Sequence, residues 1–439
     1  MKTILIILCL AAQISNAQTI RTIAGNGTPG FSGDGGPAVS AELKGANFIV
    51  FDKHDNMFVC DAGNRRIRKV DNAGIITTIA GNGTNAHTGD GGLATLASLH
   101  NPTSIAVDTF GNIYIGESAG HTIRKINTSG IITTIAGDGT IGYNGDGILA
   151  TTAKLFFPYL GKVDNSGNIF FGDYGNHRVR KIDATGIITT VAGDGTNGSS
   201  GDGGSALSAK LKTPVFVNLN SAGDIFIPDN SDFRVRKVDA STGIITTFAG
   251  NGVMGNTGDG GAATSAQISF VNSMAFDHLG NSFLADLDAN VIRKVNSAGI
   301  ISTIAGTGAT GYGGDNGPAI NAVFNSPNSI AVNSAGNVAV ADVNNNRIRL
   351  IIYNNTAVAN QEGHLLKVSV FPNPAKDNIV IDAEVPIETL DVINVVGTCV
   401  TEVRPSLGDR VVTVDVSRLP AALYVIKVNG VIAGKFVKE

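Results

Sequence analysis

One segment of this chain occurs six times, and the repeat limits the folds that are open to it. An aspartate in a glycine-rich segment, the GDGG segment, recurs every 56 residues with one step of 57, at Asp34, Asp90, Asp146, Asp202, Asp259 and Asp315. An arginine in a strand-like run has the same spacing, at Arg68, Arg124, Arg180, Arg236, Arg293 and Arg349. Equal copies of this length indicate a solenoid or a propeller, because each copy buries its apolar face only against a neighbouring copy.

Each copy contains four short strand-like runs. Residues 103–137 contain TSIAVD, IYIGE, TIRKIN and IITTIAG, separated by TFGN, SAGH and TSG. The runs are rich in β-branched residues and the gaps in small polar residues and glycine, which is typical of strands joined by tight turns. Tight turns connect antiparallel neighbours. Each copy is therefore predicted to form one four-stranded sheet.

The last copy lacks its fourth strand. No IITTIAG run follows Arg349, and the chain continues into NNTAVANQEG instead. A matching run stands at the start of the repeat region, where residues 19–25 read TIRTIAG. If this strand joins the last sheet, the ring closes and no sheet edge stays open. The sequence predicts an all-β protein, with a six-bladed β-propeller over residues 18–353 that is closed by the N-terminal strand.

Residues 1–17 have the pattern of a secretory signal peptide. Lys2 precedes an apolar run, and small residues end the segment at Ala17. Two cysteines, Cys60 and Cys399, follow the predicted signal peptide. They lie in unrelated segments, so we expect two small buried side chains and no disulfide. No further apolar run approaches the length of a membrane helix. A net charge of −4 argues against nucleic-acid binding, which needs a basic surface.

Two of the repeated segments resemble the NHL repeat, which builds propellers. They are GNIYIGESAGHTIRKI at residues 111–126 and GNVAVADVNNNRIRLI at residues 336–351. The resemblance covers residues 19–353 and implies a propeller fold. NHL propellers bind proteins or RNA, or act as lyases or surface sensors, so the resemblance leaves the activity open.

The composition changes near residue 354. Residues 354–364 form a polar linker, and residues 365–439 alternate apolar and polar positions between turns. This alternation predicts a small C-terminal β-sandwich.

The C-terminal segment also resembles the sorting domain of type IX secretion. The matching pieces are FPNPAKDNIVI at residues 371–381 and VDVSRLPAALYVIKVNG at residues 414–430. The resemblance implies Sec export followed by passage across an outer membrane, and a secreted or cell-surface location. It also implies that the type IX machinery is a partner and recognises a small set of residues, namely Pro372, Asn373, Pro374, Lys435 and Lys438.

The GDGG segments precede a repeated pattern of small apolar residues. In the second copy the pattern is Ala94, Ala97 and Leu99, which predicts a short helix with one buried stripe. We expect the aspartate to cap this helix, because its carboxylate can accept hydrogen bonds from free backbone N–H groups. We therefore expect no cofactor. Calcium binding stays an alternative, because aspartate carboxylates and loop carbonyls suit that ion.

The second strand of every copy ends in an acidic residue. These residues are Asp61, Glu117, Asp173, Asp229, Asp286 and Asp342. The repeated arginines lie on the next strand, so we expect six acid–arginine pairs. Both repeated aspartates and repeated arginines are interpreted as structural, because specificity should lie where the copies differ.

A ligand-binding face follows from the propeller topology. The connectors between sheets and the turns between second and third strands lie on one face. The residues there that differ between copies are His87, His121, Tyr143, Asn144, His177, Phe233 and Tyr312. We expect this face to bind a protein, a peptide or a surface ligand.

Two other functions stay open. One is a metal-dependent enzyme of lyase or lactonase type, because His121 and His177 occupy equivalent positions one copy apart. Catalytic zinc needs a third ligand and an open position, so a binding function is favoured over an enzyme. The other is a structural or adhesive role at the cell surface.

Overall fold

A computed structural model describes the chain over residues 18–353, 368–383, 386–387, 389–394, 399–406, 408–429 and 431–439. The predicted signal peptide, residues 1–17, and the predicted linker, residues 354–364, lie outside the described residues. The structure divides into two compact units, with the boundary between Asn354 and Asn355. Both units consist of β-strands and turns.

Residues 18–353 form six antiparallel sheets, which we number I to VI. The first strand is β1 (Gln18–Ala24). Sheets I and II consist of β2 (Ala46–Phe51), β3 (Met57–Asp61), β4 (Arg66–Val70) and β5 (Ile76–Ala80), and of β6 (Pro102–Val107), β7 (Ile113–Glu117), β8 (Thr122–Ile126) and β9 (Ile132–Ala136). Sheet III consists of β10 (Ile148–Leu149), β11 (Pro158–Val163), β12 (Ile169–Asp173), β13 (Arg178–Ile182) and β14 (Ile187–Ala192).

The remaining sheets follow the same pattern. Sheet IV consists of β15 (Asn218–Leu219), β16 (Ile225–Asp229), β17 (Arg234–Val238) and β18 (Ile245–Ala249). Sheet V consists of β19 (Val271–Phe276), β20 (Ser282–Asp286), β21 (Val291–Val295) and β22 (Ile301–Ala305). Sheet VI consists of β23 (Pro327–Val332), β24 (Val338–Asp342) and β25 (Arg347–Tyr353), together with β1.

Short 3-10 helices of three residues lie in two recurring places. Those in the connectors between sheets are Ala38–Ser40, Ala150–Thr152, Ala206–Ser208, Ala263–Ser265 and Ala319–Asn321. Those between the second and third strands of a sheet are Ala62–Asn64, Tyr174–Asn176, Asn230–Asp232 and Val343–Asn345.

The sheets are arranged around a common centre through their first strands. β2 contacts both β6 and β23, β6 contacts β11, and the contacts continue through β15, β16 and β19 back to β23. Hydrogen bonds join neighbouring first strands. The Ser104 hydroxyl accepts from the Leu160 N–H at 3.0 Å, and the Ser329 hydroxyl accepts from the Ile49 N–H at 3.1 Å. The arrangement is propeller-like.

The N-terminal strand joins the last sheet. β1 pairs with β25 in antiparallel register from Gln18 opposite Tyr353 to Ala24 opposite Ile348. Ile20 of β1 is fully buried in a hydrophobic cluster with residues of sheets V and VI. This contact joins the two ends of the repeat region.

The second unit contains seven strands within its described residues. They are β26 (Val368–Phe371), β27 (Asn378–Ala383), β28 (Leu390–Asn394), β29 (Cys399–Val403), β30 (Val411–Asp415), β31 (Ala422–Val428) and β32 (Val431–Lys438). Strands β26, β27 and β30 form one sheet, and β29, β28, β31 and β32 form the other. One hydrophobic cluster contains residues of both sheets, including Ile381, Val392 and Phe436.

The cysteines differ from the expectation in one respect. Cys60 is buried on β3, and its thiol donates to the Pro102 carbonyl oxygen at 3.2 Å. Cys399 is exposed, because it lies at the start of β29, the edge strand of its sheet. Both cysteines are free. Over the described residues, no helix has the length and apolar character needed to cross a membrane.

Replacing the buried residue of β1 tests the closure of the ring. Ile20→Ala should lower the free energy of unfolding by about 2–5 kcal/mol, because it leaves a cavity between β1 and its neighbours. Arg21→Ala is the matched control, since the neighbouring Arg21 side chain is exposed and its loss should change stability little. Urea unfolding of the full chain measures both. Equal effects of the two substitutions would contradict the placement of β1.

Candidate functional site

A buried arginine binds the GDGG aspartate in all six repeats. Each arginine side chain is at most 2% exposed. Arg236 pairs closely with Asp202. The other nitrogen–oxygen distances are 2.8 Å for Arg68–Asp34, 2.6 Å for Arg124–Asp90, 2.9 Å for Arg180–Asp146, 2.5 Å for Arg293–Asp259 and 2.7 Å for Arg349–Asp315.

Each arginine also holds the connector that leads into its sheet. In sheet VI, Arg349 donates to the carbonyl oxygens of Val323 at 2.8 Å and Gly313 at 2.7 Å. The acid at the end of the second strand holds the far end of the connector, since Asp342 accepts from the Asn325 N–H at 2.8 Å. Charged partners make such hydrogen bonds strong. We call the set of one arginine and two acids the connector clamp.

The GDGG aspartates are not helix caps. In five connectors the predicted helix is a 3-10 helix of three residues, and no side chain caps its start. In the second repeat, residues 94–96 form only a turn. The aspartate pairs with the buried guanidinium instead, because a charged donor is a stronger partner than a free N–H group. Its second oxygen binds the outer strand: Asp315, for example, accepts from the N–H of Thr22 at 3.0 Å and from the hydroxyl of Thr22 at 2.6 Å.

The predicted pairs between the arginines and the strand-end acids are looser than the GDGG pairs. Their distances are 3.4 Å for Arg68–Asp61, 3.4 Å for Arg124–Glu117, 3.2 Å for Arg180–Asp173 and 3.6 Å for Arg349–Asp342. Within residues 18–353, Asp229 and Asp286 have no such ion pair. They accept instead from backbone N–H groups, those of Lys212 and Ser269 among them.

The two acids of one clamp differ in acidity. Burial raises the pKa of Asp342 to about 6, although hydrogen bonds from Asn345 and Asn325 and the charge of Arg349 oppose the rise. Burial also acts to raise the pKa of Asp315, but hydrogen bonds from Thr22, Arg349 and other groups outweigh it and lower that pKa. One arginine charge is thus balanced mainly by the GDGG aspartate.

A cavity of about 300 Å³ opens among the first strands and the turns that follow the second strands. Every repeat contributes one residue to the lining, from the same position near the start of its first-strand segment. The six residues at this position are Asn47, Thr103, Tyr159, Val215, Asn272 and Asn328. The repeat therefore fixes the position, while the side chain there varies between copies. We call this space the axial cavity.

One side of the axial cavity is a chain of amides. The Asn230 side-chain amide donates to Asn272, and the Asn272 amide donates to Asn328. Asn328 in turn donates to the backbone carbonyl of Asn47 at 2.6 Å. The side-chain oxygens of Asn47 and Asn230 are buried and have no hydrogen-bond partner. An unpaired buried acceptor is costly and rare in proteins.

The other side of the axial cavity is aromatic. The ring centroid of Tyr159 lies 5.6 Å from that of Tyr174 and 5.0 Å from that of Phe216. Among the described residues, neither tyrosine hydroxyl has a hydrogen-bond partner. Phe157 extends the row of rings, with its centroid 6.4 Å from that of Tyr174. Phe157 has φ of 54°, in the left-handed region that a bulky side chain rarely adopts.

Four of the seven predicted binding residues lie on the connectors. Tyr143 stacks on Arg178, whose Cζ lies 4.0 Å from the ring centroid, and Tyr312 stacks on Arg347 at 3.9 Å. Asn144 binds connector backbone, accepting from the Lys154 N–H at 2.8 Å.

His87 takes the position of these tyrosines in the second repeat. Its Nδ1 lies 2.6 Å from a Glu117 carboxylate oxygen, and its Nε2 lies 3.0 Å from the Thr134 hydroxyl. Phe31 occupies the same position in the first repeat and stacks on Arg66 at 3.7 Å. Phe31 is equivalent to Tyr143 and Tyr312 but was not among the predicted binding residues.

The other three predicted residues lie in the turns after the second strands. His121 contacts the Phe157 ring at 5.2 Å, and Phe233 contacts the Phe270 ring, which lines the axial cavity, at 5.6 Å. The His177 Nδ1 lies 2.5 Å from the Lys212 carbonyl oxygen. Burial and then the charge of His100 lower the pKa of His121. Over the described residues, no three His, Cys, Asp or Glu side chains are grouped so that they could hold a metal ion.

The axial cavity was not found from the sequence, although the signal was there. Comparing one position across all repeats would have shown it, because the position after Ala46 and its equivalents is Asn, Thr, Tyr or Val. The predicted binding residues lie only in turns and connectors, and none of them is on a first strand.

In the second unit, the predicted sorting residues lie together. The Asn373 side chain donates to the Lys435 carbonyl oxygen at 3.3 Å and accepts from the Val437 N–H at 2.9 Å. Pro372 and Pro374 are exposed beside Asn373, and Lys435 is exposed on β32. Lys438 is buried.

Comparison with known proteins finds family matches within both units. Family models match residues 82–144 as a teneurin NHL domain, residues 324–349 as an NHL repeat, and residues 369–439 as a secretion system C-terminal sorting domain. The chain contains NHL repeats and a secretion sorting domain. Both resemblances inferred from the sequence are confirmed. The sorting domain implies type IX secretion machinery and supports secretion or a cell-surface location.

Curated relatives of the NHL repeats include large proteins. Mouse teneurin-4 is 26% identical over 329 residues, which are 67% of this chain and 10% of the relative. The Arabidopsis thaliana protein SUPPRESSOR OF QUENCHING 1 is 26% identical over 52% of this chain and 22% of its own length. The chain spans about a tenth of the length of the teneurins it matches.

Solved structures share the propeller-like fold of the NHL repeats. A Bacteroides thetaiotaomicron protein of unknown function has a TM-score of 0.57 at 19% identity, over 76% of each chain. An auxiliary nutrient binding protein of the same organism has a TM-score of 0.57 at 15% identity, over 77% of this chain and 76% of its own.

In the connector clamp of the last NHL repeat, the raised pKa of Asp342 and the lowered pKa of Asp315 should make stability depend on pH in opposite directions. The folded-state pKa of Asp342, about 6, is above its usual value of 3.8. Its stabilising contribution is present below pH 3.8 and is lost as the pH rises through 6. Relative to Asp342→Asn, the wild type should therefore lose on the order of 3 kcal/mol of unfolding free energy between pH 4 and pH 7.

Asp315→Asn is the matched control in the same clamp. Because the pKa of Asp315 is lowered, its contribution is present above its usual pKa and is lost as the pH falls. Relative to Asp315→Asn, the wild type should gain stability with rising pH. Urea unfolding of the three proteins at both pH values measures this. Parallel curves for the wild type and Asp342→Asn would rule out the raised pKa.

Proposed function

We propose that the chain is an exported binding protein in which sheets I to VI are the blades of a six-bladed propeller and the axial cavity holds the ligand. The observation that carries the proposal is the pair of buried, unpartnered oxygens of Asn47 and Asn230 in the cavity wall. A ligand that donates hydrogen bonds to them would remove their cost. The proposed role agrees with the sequence-based prediction that the chain binds a protein, a peptide or a surface ligand.

The lining of the axial cavity defines the chemistry of the ligand. None of the residues that line the cavity carries a charge. The amide side offers acceptors, and the opposite side offers the faces of Tyr159, Tyr174 and Phe216 with two free hydroxyls. A neutral group with several hydroxyl or amide hydrogens and one flat apolar face fits both sides. A sugar unit or a neutral side chain on a surface polymer has this character.

We propose that the GDGG segments serve the fold and hold no metal. In Asp90, Asp202, Asp259 and Asp315, one carboxylate oxygen binds the arginine and the other binds a threonine of the outer strand. Calcium would have to displace these partners. Tyr143 and Tyr312, whose rings lie over the clamp arginines Arg180 and Arg349, form the alternative ligand surface.

Variants of the axial cavity test the proposal against the alternative surface. The full-length protein would be screened on arrays of neutral glycans and peptides, and the affinity of each hit measured by calorimetry. Asn272→Leu and Tyr174→Ala should each weaken binding at least about tenfold, because each removes one side of the cavity. Tyr143→Ala and Tyr312→Ala are the controls and should leave the affinity unchanged. The reverse pattern would place the ligand on the connectors.

We propose that the second unit is a small β-sandwich whose exposed Pro372–Pro374 loop and Lys435 are read by the secretion machinery. The support is the hydrogen bonding of Asn373 to β32, which holds the two predicted recognition segments side by side.

Export of variant chains tests this role of Asn373. Asn373→Ala should reduce the exported fraction severalfold in a host with type IX secretion, because it frees the loop from β32. Asn378→Ala is the matched control, since Asn378 is exposed at the start of β27. Immunoblots of medium, cell surface and periplasm measure the fractions. Normal export of Asn373→Ala would refute the proposed role of the loop.

A further inference from the structure

A second cavity, of about 170 Å³, lies along the first strands of the six sheets. Most of the side chains that line it are apolar, and include Phe51, Val107, Leu219, Phe276 and Val332, while backbone groups, Lys162, Asn218 and Ser273 add polar atoms to the wall. Phe216 lines both this space and the axial cavity. We call the second space the lysine cavity, because one lysine side chain reaches it.

Lys162 on β11 is the single charged residue in the lining of the lysine cavity. The equivalent residues of the other repeats are small or uncharged: Val50, Ala106, Asn218, Ala275 and Ala331. Within the residues that the structure describes, the Lys162 ammonium has neither a hydrogen bond nor an ion pair. The charge is therefore a feature of one repeat and is not part of the shared architecture.

The backbone around Lys162 is adapted to this position. Gly161 precedes it, and a Cβ at Gly161 would collide with the backbone of Val217 on the neighbouring first strand. The pairing of β11 with β12 is irregular between Leu160 and Lys162. Gly161 thus permits a close approach of two strands that also places Lys162 at the cavity.

The Lys162 charge lacks compensation in this surrounding. Its side chain is accessible to solvent, but the surrounding protein disfavours the charged form, and this desolvation lowers its pKa. Because the ammonium is open to solvent and pairs with no acidic side chain of the described residues, it is free to take an anion as its partner. An anion that entered the cavity would be attracted by the ammonium and would supply the missing partner.

We propose that the lysine cavity binds a small organic acid, with its carboxylate on the Lys162 ammonium and its apolar body against Phe51 and Phe276. The Ser273 hydroxyl also lines the cavity. Its oxygen accepts from the Ile330 N–H at 3.4 Å, so its own proton stays available to the carboxylate. The volume is close to that of a cavity of about 150 Å³ that binds benzene, so a single ring or a short chain fits.

This proposal is independent of the ligand in the axial cavity. The axial cavity is uncharged and suits a neutral polar group, whereas the lysine cavity carries one cation beside mainly apolar side chains. The two sites therefore select different chemistry and can be tested separately.

Benzoate and its neutral analogue benzamide are the probes for the lysine cavity. Binding to the full-length protein would be measured by calorimetry and by thermal melting. Benzoate should bind with at least about tenfold higher affinity than benzamide, because only benzoate pairs with the ammonium. Lys162→Met should lose this preference by the same factor. Its melting temperature should stay close to that of the wild type, since the substitution removes no hydrogen bond or ion pair within the described residues, so loss of binding would not reflect unfolding.

Two control variants distinguish benzoate binding in the lysine cavity from binding elsewhere on the protein. Lys53→Met removes an exposed lysine in the turn between β2 and β3 and should keep full benzoate affinity, which excludes general charge attraction. Asn272→Leu alters the axial cavity and should also keep it. Equal benzoate affinity in Lys162→Met and wild type would overturn the proposal. So would the absence of benzoate and hexanoate binding at about 1 mM ligand.

Discussion

The propeller-like unit depends on the buried arginine of each connector clamp. A guanidinium without solvent needs partners for its charge and its N–H groups, because burying an uncompensated charge is very costly. The partners of Arg349 come from the connector, at Gly313 and Val323, from the GDGG aspartate and from the second strand. One side chain therefore fixes the path of about twenty residues that have little regular structure of their own. Because the clamp is local to each sheet, it can be repeated without any change in the others.

The sequence predicted what all repeats share, and it failed where side chains choose between partners. The period, the four strands and the missing strand supplied by residues 19–25 follow from local patterns, and the pairing of β1 with β25 agrees with them. The capping role assigned to Asp34 and its equivalents was wrong, because a helix-start pattern does not show that a buried Arg68 lies nearby. The axial cavity depends on side chains brought together from six sheets, and no single stretch of sequence contains that information.

Six repeats of the same fold must differ in some side chains before they can recognise one ligand. In the axial cavity the difference lies at one position of each first strand. Asparagines from sheets IV, V and VI form the amide chain that ends on sheet I, while the aromatic rings come mainly from sheet III and its turn. In the lysine cavity the difference is a single charge, Lys162, on the same sheet III. The architecture tolerates these changes because the clamps hold each connector without the variable residues, and because neighbouring first strands are joined at other positions, such as Ser104 and Ser329.

Phe157 shows how far one repeat can differ from the others at an equivalent position. The equivalent residues Gly45, Asn101 and Ser326 also have positive φ, whereas Thr213 and Phe270 do not, so the left-handed turn occurs in four of the six repeats. Glycine and asparagine accept this conformation easily, whereas a bulky side chain there costs on the order of 1–3 kcal/mol. The Phe157 ring packs against Phe156 at 5.0 Å and His121 at 5.2 Å, contacts that offset part of this strain. A strained aromatic residue beside Tyr174 is difficult to explain by the stability of the turn, which smaller residues form in other repeats. It is explained if the ring is needed to position Tyr174, which lines the axial cavity.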